Sequence, residues 1–343
     1  MTDPTSSPLP PPLMPPSGPA SPAGSRTSAF FRRVDPAVAT AFACIVALLL
    51  VGSLYSTRFL SPDYLLQQLQ VGSFLALVAT GLMVVVLLGQ IDLSVPWIVT
   101  VGGMMSTAAA GHGAIGATLA IPFGVLCGIG FGLVNGVGVA YLRVPSMIFT
   151  LGVDAVAQGL MVLKTGGSAP QDMATPLMRE LATGRTLGAV PNGVWVWLLV
   201  GLAVSFLLAR TTFGRSVYAI GNREEAAYLS GVRTRQVTLV AFAISGGLSA
   251  LSGALLAGYS GKAYQGMGDD YLLPAIAAVV LGGTSILGGR GSYLGTTAGV
   301  ILITLLQSIL SVVQMPDAGR QIIYGAVILA MLLLYGRGRR VGG

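Results

Sequence analysis

Histidine and cysteine are almost missing from this chain. The only histidine, His112, stands between two glycines at the end of an apolar segment. A zinc site needs several clustered nitrogen, sulfur or carboxylate ligands, and none stands beside it, so no metal centre is expected. Cys44 and Cys127 both fall in apolar segments, where inert buried thiols are expected rather than a disulfide or a metal pair. Charge is also scarce. Only 9% of residues are charged, against about 25% in soluble chains, which excludes an ordinary water-soluble domain. Catalytic motifs are missing too. There is no HExxH and no GxSxG. The stretch GYSGK at 258–262 lacks the spacing of a phosphate-cradling loop. No catalytic residue, no bound cofactor and no ATP hydrolysis by this chain itself are expected.

Apolar runs are what the chain has instead. Hydrophobic residues make up 53% of it, and several runs reach the roughly 20 helical residues that cross a bilayer. The fold class expected is an all-α polytopic membrane protein with about ten transmembrane helices, some broken by Gly or Pro. The spans read as 36–55, 71–88, 97–110, 115–142, 146–163, 194–208, 237–256, 272–287, 295–313 and 321–334. Residues 164–191 read as a polar loop, and 257–270 as another.

Basic residues set the expected orientation. Lys and Arg exceed Asp and Glu by 19 to 12. In a soluble protein that excess would suggest nucleic acid; in short loops between apolar runs it reports topology. With both termini inside, six of the 19 fall in outer loops: Arg58, Lys164, Arg179, Arg185, Lys262 and Arg320. The other thirteen fall inside, as the positive-inside rule requires. Residues 1–29 are rich in Pro, Ser and Ala and read as a disordered cytoplasmic tail. Residues 30–337 form the transmembrane domain, and 338–343 a short basic cytoplasmic tail.

Small residues recur at helical spacing in three rows: Gly128, Gly132 and Gly136; Gly291, Gly295 and Gly299; Ser245, Ser249 and Gly253. Such rows let helix backbones approach closely in lipid, and packing is the reading given to them.

Several polar residues interrupt apolar segments. Asp92, with Gln90 and Ser94, sits where Gly89 and Pro96 break a helix. Irregular backbone at membrane depth is tolerated only against protein or a water-filled path. Asp92 can therefore line a translocation route or cap the next helix, and the two readings are compatible. Asp154 can line a cavity or pair with a polar group elsewhere. Asn135 and Gln158 are weaker candidates. A second break, with Thr284 and Ser285 between Gly283 and Gly288, raises a weak internal repeat of the kind that flanks a transport route. Asp269 and Asp270, an acidic pair in an outer loop, read as a solvated loop end.

The longest charged interval between apolar segments in the second half is 211–236. It carries Gly214, Arg215, Gly221, Asn222, Arg223, Glu224, Glu225, Ala226, Ala227 and Gly231.

Four stretches carry a resemblance: GQIDLSV at 89–95, GLVNGVGVAYLRVPSMIFTLG at 132–152, TTFGRSVYAIGNREEAAYLSGV at 211–232 and AIAAVVLGGTSILGGRGSYLGT at 275–296. The chain resembles the permease subunits of bacterial ABC sugar importers, the ribose, xylose and arabinose branch, over roughly 65–337. The resemblance implies that 214–231 forms cytoplasmic coupling helices between spans six and seven. Glu225, Ala226, Ala227 and Gly231 match the EAA-x3-G pattern that docks on the ATPase. It also implies a homodimer in the bacterial inner membrane that moves a monosaccharide or similar small polyol. The implied partners are a second copy, cytoplasmic ABC ATPase subunits that bind ATP and Mg, a periplasmic sugar-binding protein and membrane lipid, with no nucleic acid. Two positions depart from the family's pattern. Gln158 stands where many relatives carry a basic residue, and Asp154 is unusual for its stretch. The alternative is an ion-coupled secondary transporter of a small polar solute. It would need embedded acids or histidines as relays, for which Asp92 and Asp154 are the candidates.

Overall fold

A computed structural model describes residues 36–55, 57–168, 170–186 and 188–337. The two expected tails, 1–29 and 338–343, lie outside these residues. The described residues are helical, without strands; one isolated bridge joins Met173 and Lys262. We label the helices α1 (Pro36–Tyr55), α2 (Pro62–Leu87), α3 (Val95–Ala110), α4 (Gly113–Ala140), α5 (Ser146–Thr165), α6 (Pro176–Thr183), α7 (Asn192–Arg210), α8 (Thr212–Asn222), α9 (Glu224–Leu229), α10 (Thr234–Ser260), α11 (Leu272–Leu281), α12 (Tyr293–Val312) and α13 (Asp317–Arg337).

Six of the described helices are long and apolar enough to cross a membrane: α2, α4, α5, α7, α10 and α12. Two more apolar stretches are shorter, Thr40–Leu54 within α1 and Val95–Ala110. The central helix is α2. Ser61 caps it, accepting the Tyr64 N–H, and Pro62 opens its first turn, where a missing N–H costs nothing. Its most apolar window is 89% buried, so α2 is enclosed on all sides from about Gln70 to its end. The same windows of α4 and α5 are only 22% and 28% buried, which leaves broad apolar faces bare on those two helices.

Close backbone contact holds the bundle together. A Cβ on Gly128 would stand 2.5 Å from the Gly246 carbonyl oxygen, and one on Gly132 would stand 2.3 Å from that of Phe242. The first small-residue row is thus the seam between α4 and α10. Gly295 and Gly299 press in the same way on Gly282 and Ala278 of the α11 segment. The third member of that row departs from the expectation. Gly291 precedes α12 and lies against Thr284 in a loop.

Two further boundaries differ from the sequence reading. The expected span 272–287 is a helix of only 10 residues, α11, which ends before Gly282 and Gly283. Residues 282–292 are irregular. The polar stretch 164–191 contains a helix, α6, capped by the Thr175 hydroxyl accepting the Met178 N–H. The bundle's two ends are set by α10. It starts beside α9 and finishes beside α6, where Ala174 donates to the Gly261 carbonyl. Its 27 residues separate the α9 end from the α6 end by roughly 40 Å.

Candidate functional site

The break between α2 and α3 is a closed polar knot. Gly89, at φ +76°, turns the chain out of α2, and residues 90–94 carry no helix. Their backbone groups therefore need partners from elsewhere. Ser146 and Thr150 of α5 accept the Ile91 and Leu93 N–H groups, at 3.3 and 2.9 Å. Asp92 has no exposed surface. Its Oδ1 accepts the Ser94 N–H at 3.1 Å and the Ser94 hydroxyl at 2.5 Å. Its Oδ2 accepts the Ser245 hydroxyl of α10 at 2.9 Å. Asn135 of α4 donates its amide to the Ser94 hydroxyl oxygen at 2.7 Å. One carboxylate thus ties the break to α10 directly and to α4 through Ser94. Asp154 of α5 accepts the Trp97 N–H at 3.2 Å, in the first turn of α3, where a carboxylate suits the positive end of the helix dipole.

The other candidates stand apart from this knot. Gln90 lines a small cavity with Arg143, Glu224 and Arg235. Gln158 lies on the exposed face of α5. Thr284 and Ser285 shape the 282–292 loop, where the Ser285 N–H donates to the Arg290 carbonyl at 2.8 Å. Sequence reasoning missed Ser245 as a functional partner because it stands in a packing row. It missed Ser146 and Thr150 because each is an isolated hydroxyl in an apolar run. An acid in a broken helix that needs donors was the available signal.

The interval 211–236 folds into α8 and α9. Thr211 caps α8, accepting the Gly214 N–H. Gly214, Val217 and Ile220 are buried, while Arg215 is exposed. On α9, Ala227 is 5% exposed and seats inward, but Glu225 and Ala226 face out. Tyr228 and Leu229 are 67% and 85% exposed, large apolar side chains without cover at the tip of the bundle. Gly231 ends this unit at φ +84°. Arg143, in the α4–α5 turn, pairs with Glu224 at 2.9 Å across the exposed near edge of α9.

A glycine junction joins α8 to the break. The Gly289 N–H donates to the Leu87 carbonyl at 2.9 Å, linking the 282–292 loop to the end of α2. Gly221 of α8 lies against that bond: a Cβ there would stand 1.9 Å from the Leu87 oxygen and 2.4 Å from the Gly289 nitrogen. Gly288, at φ +85°, sits between Gly89 and Gly221. Tyr218 of α8 donates its hydroxyl to the Gly291 carbonyl at 3.0 Å. Burial raises the Tyr218 phenol above its ordinary value. The end of α8, the break after α2 and the loop before α12 therefore meet backbone to backbone.

Six apolar helices of membrane-crossing length around a buried polar break, with a short helical pair at one end, are the features of a multi-pass membrane protein. A sequence profile described as "Branched-chain amino acid transport system / permease component" matches residues 64–332. The chain belongs to this family of ABC-importer permeases, and it is a transport subunit. Among its relatives is the autoinducer 2 import system permease protein of Salmonella paratyphi B, 35% identical over 304 residues, covering 87% of this chain and 86% of that one. The protein of the same description in Yersinia pseudotuberculosis is 34% identical over 303 residues, covering 87% and 84%. No solved structure matches this chain.

Proposed function

We propose that this chain forms the translocation pathway of a binding-protein-dependent ABC importer for a monosaccharide or similar small polyol. It crosses the bacterial inner membrane about ten times with both termini cytoplasmic, so the α9 end faces the cytoplasm. It acts as a pair of copies with two ABC ATPase subunits and a periplasmic sugar-binding protein. ATP and Mg belong to the ATPase alone. The observation that carries the reading is the α8–α9 unit. It projects uncovered apolar side chains and is wedged, through Gly221, against the backbone that closes the transmembrane break. A short helix with small and apolar residues suits a groove on a partner, and Arg215 and Glu225 at its rim set register. Force applied there reaches α2 and α12 without passing through a flexible side chain, as a rocking mechanism requires.

The pathway candidates then divide. Asp92, Ser94 and Asn135 act by holding the break, and Asp154 by capping α3. Gln158, on the bare face of α5, and Gln90, beside the small cavity, are the polar groups with open space before them. Thr284 and Ser285 set the loop that meets α8. The curated relatives are named for autoinducer 2 import, which adds that compound to the substrates to be tried. The resemblance to ribose, xylose and arabinose permeases supports pentoses.

Co-purification with the cognate ATPase tests the docking assignment. Glu225→Arg and Gly231→Trp are expected to reach the membrane normally and lose the ATPase. Retention of the ATPase by both variants would remove the coupling role from 211–236.

A further inference from the structure

At the α6 end, a cavity of about 400 Å³ lies inside the single subunit. It is bounded by α2, α12, the start of α13 and the segment leading into α11. Its size falls within the range of roughly 300–1,000 Å³ that small-molecule sites occupy. The lining is unusually polar for this chain. Gln68 and Gln307 bring amides, Asp269 and Asp270 carboxylates, and Arg320 a guanidinium. Tyr264 and Tyr324 add ring surface. These groups are far apart in sequence and converge only in the fold.

Two of the lining groups lack partners. The Thr304 hydroxyl belongs to a side chain only 3% exposed and has no hydrogen-bond partner. The Arg320 Nε is buried and also unpartnered, although its Nη1 meets Asp317 at 3.2 Å. Both atoms are sealed from solvent, so they are a cost of the fold itself and the ligand contacts fall to the exposed groups of the lining.

We infer that this cavity is a binding site for a neutral polyhydroxylated ligand, entered from the α6 end and contained within one copy of the chain. The chemistry of the lining selects the class. A sugar hydroxyl both donates and accepts, so it can donate to Asp269 or Asp270 while accepting from a glutamine amide or Arg320. Tyrosine rings offer apolar faces to the ring carbons. Three carboxylates against one guanidinium disfavour an anion. The inference rests on the reading of the chain as a polyol importer and names where the substrate first meets it.

The test uses the full transporter in cells, with radiolabelled D-ribose, D-xylose and L-arabinose as probes and L-leucine as the comparison. Gln307→Leu and Asp270→Asn are expected to lower uptake of the transported pentose at least tenfold, chiefly through a raised KM, with the ATPase still bound. A second measurement guards against misfolding. Gln307→Cys, placed in a Cys44→Ser, Cys127→Ser background, is expected to react with a membrane-impermeant methanethiosulfonate from the outer side. The transported pentose should slow that reaction severalfold, and L-leucine should not. Normal pentose uptake by both variants would overturn the inference and leave the importer reading standing; so would a cysteine that the pentose does not protect. Protection by L-leucine instead would reassign the cavity to a zwitterion. If the wild type takes up none of the three pentoses, the importer reading for these sugars fails, and the cavity's assignment fails with it.

Discussion

Gly221→Leu is expected to reach the membrane and to lose transport by on the order of 100-fold. The reason is space. A Cβ at this position would stand 1.9 Å from the Leu87 oxygen and 2.4 Å from the Gly289 nitrogen, and both are backbone atoms. No rotamer can relieve that contact, so either α8 moves away or the hydrogen bond between Gly289 and Leu87 breaks. Overpacking of this kind costs ~1–3 kcal/mol, and the upper end corresponds to about a 100-fold change in an equilibrium. The energy falls on the one place where α8, the break after α2 and the 282–292 loop touch. Gly221→Ala should show the same defect at smaller size. Gly152→Leu is the control, because a Cβ there meets nothing within 4 Å. ATP-dependent uptake, measured beside the yield of intact complex, separates a coupling defect from a folding one. Normal uptake by Gly221→Leu would show that the junction carries no motion.

The second large effect is on stability. Asp92→Ala should destabilise the solubilised protein by several kcal/mol, since each buried donor left without an acceptor costs about 1–3 kcal/mol. Three donors would lose their acceptor at once: the Ser94 N–H, the Ser94 hydroxyl and the Ser245 hydroxyl. Water cannot replace the carboxylate without opening the seam between α10 and the break, since Asp92 and Ser245 have no exposed surface. Ser245→Ala removes one donor, leaves the buried Asp92 Oδ2 without its partner and should cost about 1–3 kcal/mol. The double variant should cost less than the two single effects combined, with a coupling of ~0.5–3 kcal/mol. Thermal denaturation of the four proteins in detergent reads this directly. Additive effects would mean that the bond between Asp92 and Ser245 contributes nothing.

Much of this architecture was legible in the residues. Gly89 and Pro96 announced the interrupted helix, and α3 does begin at Val95. The charged interval 211–236 announced a unit outside the apolar spans, and it folds as two short helices. Long-range partners were not legible. The bond from Ser245 to Asp92 joins residues 153 positions apart, and a serine at helical spacing is equally a packing residue. The helix α6 escaped notice because eight residues in a polar stretch give too short a period to read. The shortness of α11 was hidden by apolar Ile286 and Leu287, which continue the run past the glycines that end the helix. The polar cavity was invisible because its walls come from four parts of the chain, and Asp269 and Asp270 alone look like a solvated turn.

Uptake under separated energy sources tests the central claim most directly. Cells carrying this chain with its ATPase and binding protein are given labelled pentose, first with the ion gradients collapsed and ATP kept high, then with an ATPase variant unable to hydrolyse ATP and the gradients intact. A permease driven through α8 and α9 continues to accumulate sugar in the first condition and stops in the second. Accumulation that follows the ion gradient and ignores the ATPase would contradict the account and favour an ion-coupled carrier.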